Sequence, residues 1–217
     1  MKSTRIQQKY DTFVACFEEH MPVAESELQY EDPYQLLVAV ILSAQCTDKR
    51  VNMTTPALFK RFPTAQDMAV ASVEEIYDYI KSISYPNNKA KNLSGMAQTL
   101  VRDFNGVVPD NLEDLQRLPG VGRKTANVML AVAFSQPAMP VDPHVFRVAN
   151  RIGLTHNSKN VTQTEKTLVA HLPKEVVSKA HHWLILHGRY VCQARKPKCD
   201  QCIITHICDW YKTNSAS

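Results

Sequence analysis

Apolar residues return every three or four positions along most of this chain, and strict two-residue alternation is rare. Helices that each bury one face give that pattern, whereas half-buried strands do not. Ser72 and Glu75 form a capping-box pattern ahead of Ile76, Tyr79, Ile80 and Ile83, and Thr162 and Glu165 repeat it. Pro63, Pro86, Pro109, Pro119, Pro140, Pro143 and Pro173 punctuate the segments. Asn105-Gly106 follows the helical stretch 90–104 and ends it rather than turning a hairpin. Many helices with short connections predict an all-α architecture. There is no repeat at a solenoid period and no low-complexity tract, and only Thr213 to Ser217 reads as a frayed tail.

Length and composition narrow the class without choosing a function. A chain of 217 residues, 44% hydrophobic and 21% charged, suits one compact domain or two small ones and argues against disorder. The longest apolar run, Leu36 to Leu42, falls far short of the ~20 residues that span a bilayer. The opening MKSTRIQQKYDTF lacks an apolar stretch ahead of a cleavage site, so a cytoplasmic protein with no membrane association is expected. Net charge is +4 and the isoelectric point near 8.7, compatible with nucleic acid but equally with other partners. The basic residues gather modestly, with Arg117, Arg123 and Lys124 in one segment and Arg189, Arg195, Lys196 and Lys198 in another.

The segment NLEDLQRLPGVGRKTANVMLAV is more specific. Asn111 caps a short helix carrying Leu112, Leu115 and Leu118, and a second helix begins near Arg123, facing a core with Val128, Met129 and Val132. Between them, Gly120, Val121 and Gly122 place two of the chain's six glycines within three residues. Such a pair suggests backbone geometry closed to other residues, with Val121 turned inward. It also bares the N–H groups of the next helix to an anion such as phosphate. A tight turn without a ligand is the plain alternative. The full string Leu-Pro-Gly-Val-Gly-Arg-Lys-Thr-Ala resembles the helix-hairpin-helix of base-excision DNA glycosylases, which holds DNA phosphate without reading sequence.

Lys124 then lies in the first turn of a helix, where the dipole disfavours a cation. That field, with Arg123 adjacent, favours the neutral amine, the form that can attack a sugar C1′ and leave a Schiff base. A simple phosphate contact is the alternative role. Asp142, in MPVDPHVFRVANRIGL, precedes Pro143 and a helical apolar face of Val145, Phe146, Val148, Ala149 and Ile152. It therefore reads as an N-cap, with Pro143 as the first helical residue. A carboxylate so placed can also stabilise positive charge on a sugar and move protons.

Cys192, Cys199, Cys202 and Cys208 follow a C-x6-C-x2-C-x5-C pattern, which suits either tetrahedral zinc or an iron–sulfur cluster. Cys16 and Cys46 stand apart and read as buried thiols, while His181, His182 and His187 share a helix with Trp183 and read as core rather than ligands.

Five segments together, LLVAVILSAQCTDKRVN, NNKAKNL, LPGVGRKTANVML, VDPHVFRVANR and HHWLILHGRYVC with its cysteine tail, resemble the endonuclease III family in family order, from about residue 36 to 208. The resemblance implies a helix-hairpin-helix DNA glycosylase fold. Its six-helix barrel would span residues 26–136, packed on an iron–sulfur domain of 1–25 plus 137–217, with the active-site cleft between them. It implies a bifunctional glycosylase and abasic-site lyase that removes oxidised pyrimidines from duplex DNA and cleaves 3′ to the abasic site by β-elimination. Lys124 would be the Schiff-base nucleophile, Asp142 the second catalytic residue, and the four clustered cysteines the ligands of a 4Fe-4S cluster. Gln45 and Tyr85 would fill the stack when the damaged nucleotide is extruded. Gly120, Val121, Gly122, Arg123 and His144 would lie against DNA. The partner would be double-stranded DNA holding damaged bases or abasic sites, met by a monomer in the nucleoid-containing cytoplasm. Pro143 replaces the family's usual threonine, removing a hydroxyl beside Asp142, and Cys46 replaces a small residue. An adenine-removing relative would lack a lysine at 124 and extend further past Cys208. A non-catalytic DNA-binding module would leave Lys124 and Asp142 without a role.

Overall fold

A computed structural model describes residues 4–214, in which every regular element is helical. Two compact units divide the chain: Ser26–Ser135 forms one, and the segment up to Glu25 joins the chain from Gln136 onward in the other.

The Ser26–Ser135 unit is built around helix α2 (Pro33–Ser43), apolar on all sides, with every residue from Leu36 to Leu42 buried. A helix without a polar face belongs inside a bundle, and α3 (Asp48–Arg61), α6 (Pro86–Phe104) and α8 (Arg123–Val132) pack against it. Asp32 caps α2, accepting from the Gln35 N–H, and Pro33 opens it. Between α3 and α6 lie α4 (Ala65–Ala69), closed by a Thr64–Asp67 capping box, and α5 (Val73–Ile80), capped by Ser72 through the Glu75 N–H as its sequence predicts. Both pack on α6. Helix α6 starts four residues before the expected position 90, because Pro86 supplies a preset first residue. It ends at Asn105 in the left-handed conformation.

Helix α7 (Leu112–Gln116), capped by Asn111, pairs with α8 as the hairpin. The buried stripe of α8 differs from the expected one. Ala126, Met129 and Leu130 face inward while Val128 and Val132 stay half-exposed, so the small Ala126 meets its neighbours and the valines flank the contact.

The second unit gathers α1 (Arg5–His20), α9 (Pro143–Ile152), α10 (Val161–His171) and α11 (Val177–Tyr190) around one core, with α12 (Asp209–Asn214) lying against α9 outside it. Trp183 is fully buried, stacked on Phe17 with its Nε1–H donated to the Met21 carbonyl at 2.8 Å. Helices α9 and α11 approach closely at Gly188, where a Cβ would lie 2.9 Å from that of His144. The cap of α10 is Asn160, which accepts from the Gln163 N–H, rather than Thr162 with Glu165. Asn160 sits directly before the first helical residue, and Gln163 returns a bond to the Lys159 N–H. Thr213 and Asn214 belong to α12 rather than to a frayed tail, while 215–217 lie outside the described residues.

Candidate functional site

The hairpin begins where α7 ends. Gly120 has φ +82°, and a Cβ there would lie 3.0 Å from the Cβ of Asn92, so both backbone and space demand glycine. Val121 is buried, pinning the turn through its N–H to the Leu118 carbonyl at 3.0 Å. Gly122 departs from the expectation that both glycines need special geometry. Its φ of −86° and ψ of 176° suit any residue, and a Cβ would meet nothing within 4 Å. Its bareness therefore serves no packing need within the chain. It leaves the start of α8 without a side-chain cap and open to an approaching anion. Arg123 and Lys124 follow, both exposed, in the first turn.

The same unit holds Gln45 and Tyr85. Both are exposed and both take a left-handed backbone, with φ of 53° and 57°. This is costly for residues with side chains, and such strain concentrates at functional positions. Gln45 follows the end of α2, and Tyr85 sits at the cap of α6. Between them lies a residue without an expected role, Lys89. It is 5% exposed, and its ammonium donates to the carbonyls of Leu42 at 2.8 Å and Ala44 at 2.6 Å. Burial lowers its pKa below the usual lysine range. A signal was present in the sequence, since Lys89 continues the apolar stripe of Leu93, Met96 and Leu100.

Asp142, His144 and the four clustered cysteines belong to the other unit. Asp142 is buried at 7% exposure and caps α9 as its sequence predicts, with Oδ1 accepting from the Val145 N–H at 2.8 Å. Pro143 occupies the first helical position, so the missing threonine leaves the helix start intact. His144 is half-buried, its Nδ1 3.3 Å from the Arg147 guanidinium.

Helix α9 ties this aspartate's scaffold to the cysteine loop. Arg147 donates to the carbonyls of Gly188 at 2.9 Å and Cys192 at 3.2 Å. Arg151, one turn further on, reaches the carbonyls of Gln193 at 2.7 Å and Ala194 at 2.8 Å, and the Cys192 sulfur at 3.4 Å. Neither arginine was singled out from sequence, because the partners of both are backbone carbonyls some 41–45 positions away, which spacing along α9 does not indicate.

Cys192, Cys199, Cys202 and Cys208 are free thiols that line one small cleft of about 20 Å³, together with Arg151, His187 and Trp210. Among the described residues no three His, Cys, Asp or Glu side chains close to the spacing of one ion's ligands. Burial, and then the neighbouring sulfurs, push the Cys202 thiol up to about 11 and raise Cys208 and Cys199 in the same direction. Such thiols ionise only when a cationic centre draws the protons off, so the donor set fits a bound metal cluster. His187 is not among those four thiolates, yet it does more than fill the core: its Nε2 lies 3.5 Å from the Cys202 sulfur. Burial holds its pKa near about 4. Cys16 and Cys46 are half-buried rather than buried, and the Cys16 sulfur lies 4.0 Å from His206 Nε2.

Comparison with known proteins bears on both units. Residues 38–174 match the HhH-GPD superfamily of base excision DNA repair proteins, and residues 192–208 match the iron–sulfur binding domain of endonuclease III. Endonuclease III of Rickettsia felis is 46% identical over 198 residues, covering 91% of this chain and 92% of the relative. That of Escherichia coli strain K12 is 46% identical over 192 residues, covering 88% and 90%. A solved structure of a trapped endonuclease III–DNA covalent intermediate superposes with a TM-score of 0.90 at 40% identity, covering 99% of this chain and all of that one. Among the described residues no helix is long and apolar enough to cross a membrane.

Proposed function

The chain belongs to the HhH-GPD superfamily of base excision DNA repair proteins and within it to the endonuclease III family, a DNA glycosylase and abasic-site lyase with a 4Fe-4S cluster, and we propose that Lys124 is its nucleophile and Asp142 its second catalytic group. The observation that carries this assignment is the placement of Lys124. It is an exposed amine in the first turn of a helix whose leading glycine has neither packing partner nor cap. Phosphate held at that helix start brings a sugar within reach of the lysine.

The amine attacks C1′ as the glycosidic C–N bond breaks, and the base leaves with the bonding pair and a proton. Ring opening gives a Schiff base, whose positive charge acidifies the C2′ proton. Loss of that proton expels the 3′ phosphate, and water then releases the lysine. Asp142 is fixed by its cap through Oδ1 and supplies a carboxylate that stabilises the cationic sugar and carries protons between steps. The substrate is an oxidised pyrimidine or an abasic site in duplex DNA. Arg123, the hairpin glycines, Val121 and His144 lie against its backbone, and Gln45 and Tyr85 fill the stack. Cys192, Cys199, Cys202 and Cys208 hold the cluster, which cross-links a loop exposing Arg195, Lys196 and Lys198 for phosphate. The protein acts as a monomer on the nucleoid in the cytoplasm.

Incubation with a duplex carrying one thymine glycol tests this, with free base and nicked strand measured together. Wild type is expected to give both and Lys124→Gln neither above background. Nicking by Lys124→Gln at the wild-type rate would remove Lys124 from the chemistry.

A further inference from the structure

Two exposed, left-handed residues with side chains, Gln45 and Tyr85, are fastened to the same third residue. The backbone N–H of Lys89 donates to the Tyr85 carbonyl at 3.2 Å, and its ammonium donates to the Ala44 carbonyl at 2.6 Å. The Ala44 carbonyl belongs to the peptide bond that leads into Gln45, so the Lys89 side chain holds the peptide beside Gln45, while its backbone makes the ordinary helical bond to Tyr85 one turn before it at the start of the same helix. A further bond to the Leu42 carbonyl at 2.8 Å seats the ammonium at the end of α2, where the helix dipole welcomes a cation.

Holding an ammonium at 5% exposure is costly, and burial lowers its pKa accordingly. A plain helix stop needs no buried charge. Glycine or water satisfies terminal carbonyls at less cost. What the lysine adds is a link between two loops separated by 39 intervening positions in the sequence, from Gln45 to Tyr85.

We propose that Lys89 is a positioning residue for base extrusion, tying the loop of Gln45 to the start of α6 beside Tyr85 so that the two enter the stack together. It touches neither the sugar nor the base in this account, which rests on the stack-filling roles assigned to Gln45 and Tyr85. Presetting lowers the cost of opening paired DNA, because the two loops need no ordering when the nucleotide leaves. The benefit should vanish where the lesion is already unpaired.

The test compares thymine glycol excision from a fully paired duplex with excision from the same strand facing a non-complementary bubble. Lys89→Met removes the ammonium donors to Leu42 and Ala44 with little change in volume and keeps the backbone bond to Tyr85, and Lys89→Arg restores a charged donor. Gln45→Ala and Tyr85→Ala report on the stack-filling roles themselves. A 2-aminopurine beside the lesion reads base unstacking directly. Lys89→Met is expected to lower the duplex-to-bubble rate ratio by about tenfold and to slow the fluorescence rise, with Lys89→Arg recovering part of both. If Gln45→Ala and Tyr85→Ala lower the ratio while Lys89→Met does not, the positioning role is wrong. If none of the variants moves the ratio, the stack-filling assignment fails and the Lys89 proposal falls with it. If Lys89→Met does not fold, Lys89→Leu, which also removes the side-chain donors, gives the same comparison.

Discussion

At Asp142 a helix cap and a proposed catalytic carboxylate share one side chain, and substitution can separate them. Asparagine caps about as well as aspartate, whereas alanine removes the bond to the Val145 N–H and costs about 1 kcal/mol. Asp142→Asn should therefore melt close to wild type yet lose base excision by roughly a hundredfold or more, while Asp142→Ala should lose both; thermal melts beside excision rates decide it. A fully active Asp142→Asn would leave the residue as a cap alone. The hairpin glycines part in the same way. Gly120→Ala places a Cβ at φ +82° and 3.0 Å from Asn92, and should cost about 1–2 kcal/mol of stability. Gly122→Ala meets open space, so it should barely move the melting temperature but weaken binding to a duplex with an abasic analogue. Sequence marked both glycines without distinguishing them. Composition shows that a side chain is missing, whereas only coordinates show whether the chain itself required its absence.

At the scale of elements, local chemistry was legible wherever a single signal stood alone. Ser72 with Glu75 and Asp142 with Pro143 mark the starts of α5 and α9, and Asn105 marks the end of α6. Where two signals overlapped, the choice was harder: Asn160 with Gln163 outcompeted Thr162 with Glu165, two residues away. The buried face of α8 and the tie from α9 to the cysteine loop depend on which neighbour each helix meets, and periodicity carries no such information. Helix α11 makes a prediction of its own. Burial keeps His182 below the usual histidine range and His187 near about 4, so the folded state favours the neutral rings. Unfolding then takes up protons below about pH 6.5, the ordinary histidine value. The stabilisation is complete above that and fades as pH falls toward about 4. Between about pH 7.5 and pH 5, His182→Gln should lose less melting temperature than wild type. Equal losses would mean that His182 titrates alike in both states.

Across the whole molecule, the residues of the proposed chemistry lie far apart in sequence and are divided between the two units. The hairpin, Lys124, Gln45 and Tyr85 belong to Ser26–Ser135, and Asp142 and the cysteines to the other unit. The four cysteines were plain in the sequence, but their spacing left zinc and iron–sulfur equally open. The match of residues 192–208 to an iron–sulfur binding domain decides for the cluster. Its removal by oxidant and chelator should speed hydrogen exchange from Gln136 onward while Ser26–Ser135 stays protected. Uniform loss of protection would instead make the cluster a support for the entire fold.

Covalent capture identifies the nucleophile directly. Wild type and Lys124→Ala would each be mixed with an abasic-site duplex and borohydride, which reduces a Schiff base to a permanent bond, and the product mapped by peptide mass. A protein–DNA adduct with wild type alone, carried on Lys124, is the result predicted here. An adduct of equal yield with Lys124→Ala, or one carried on another residue, would contradict it.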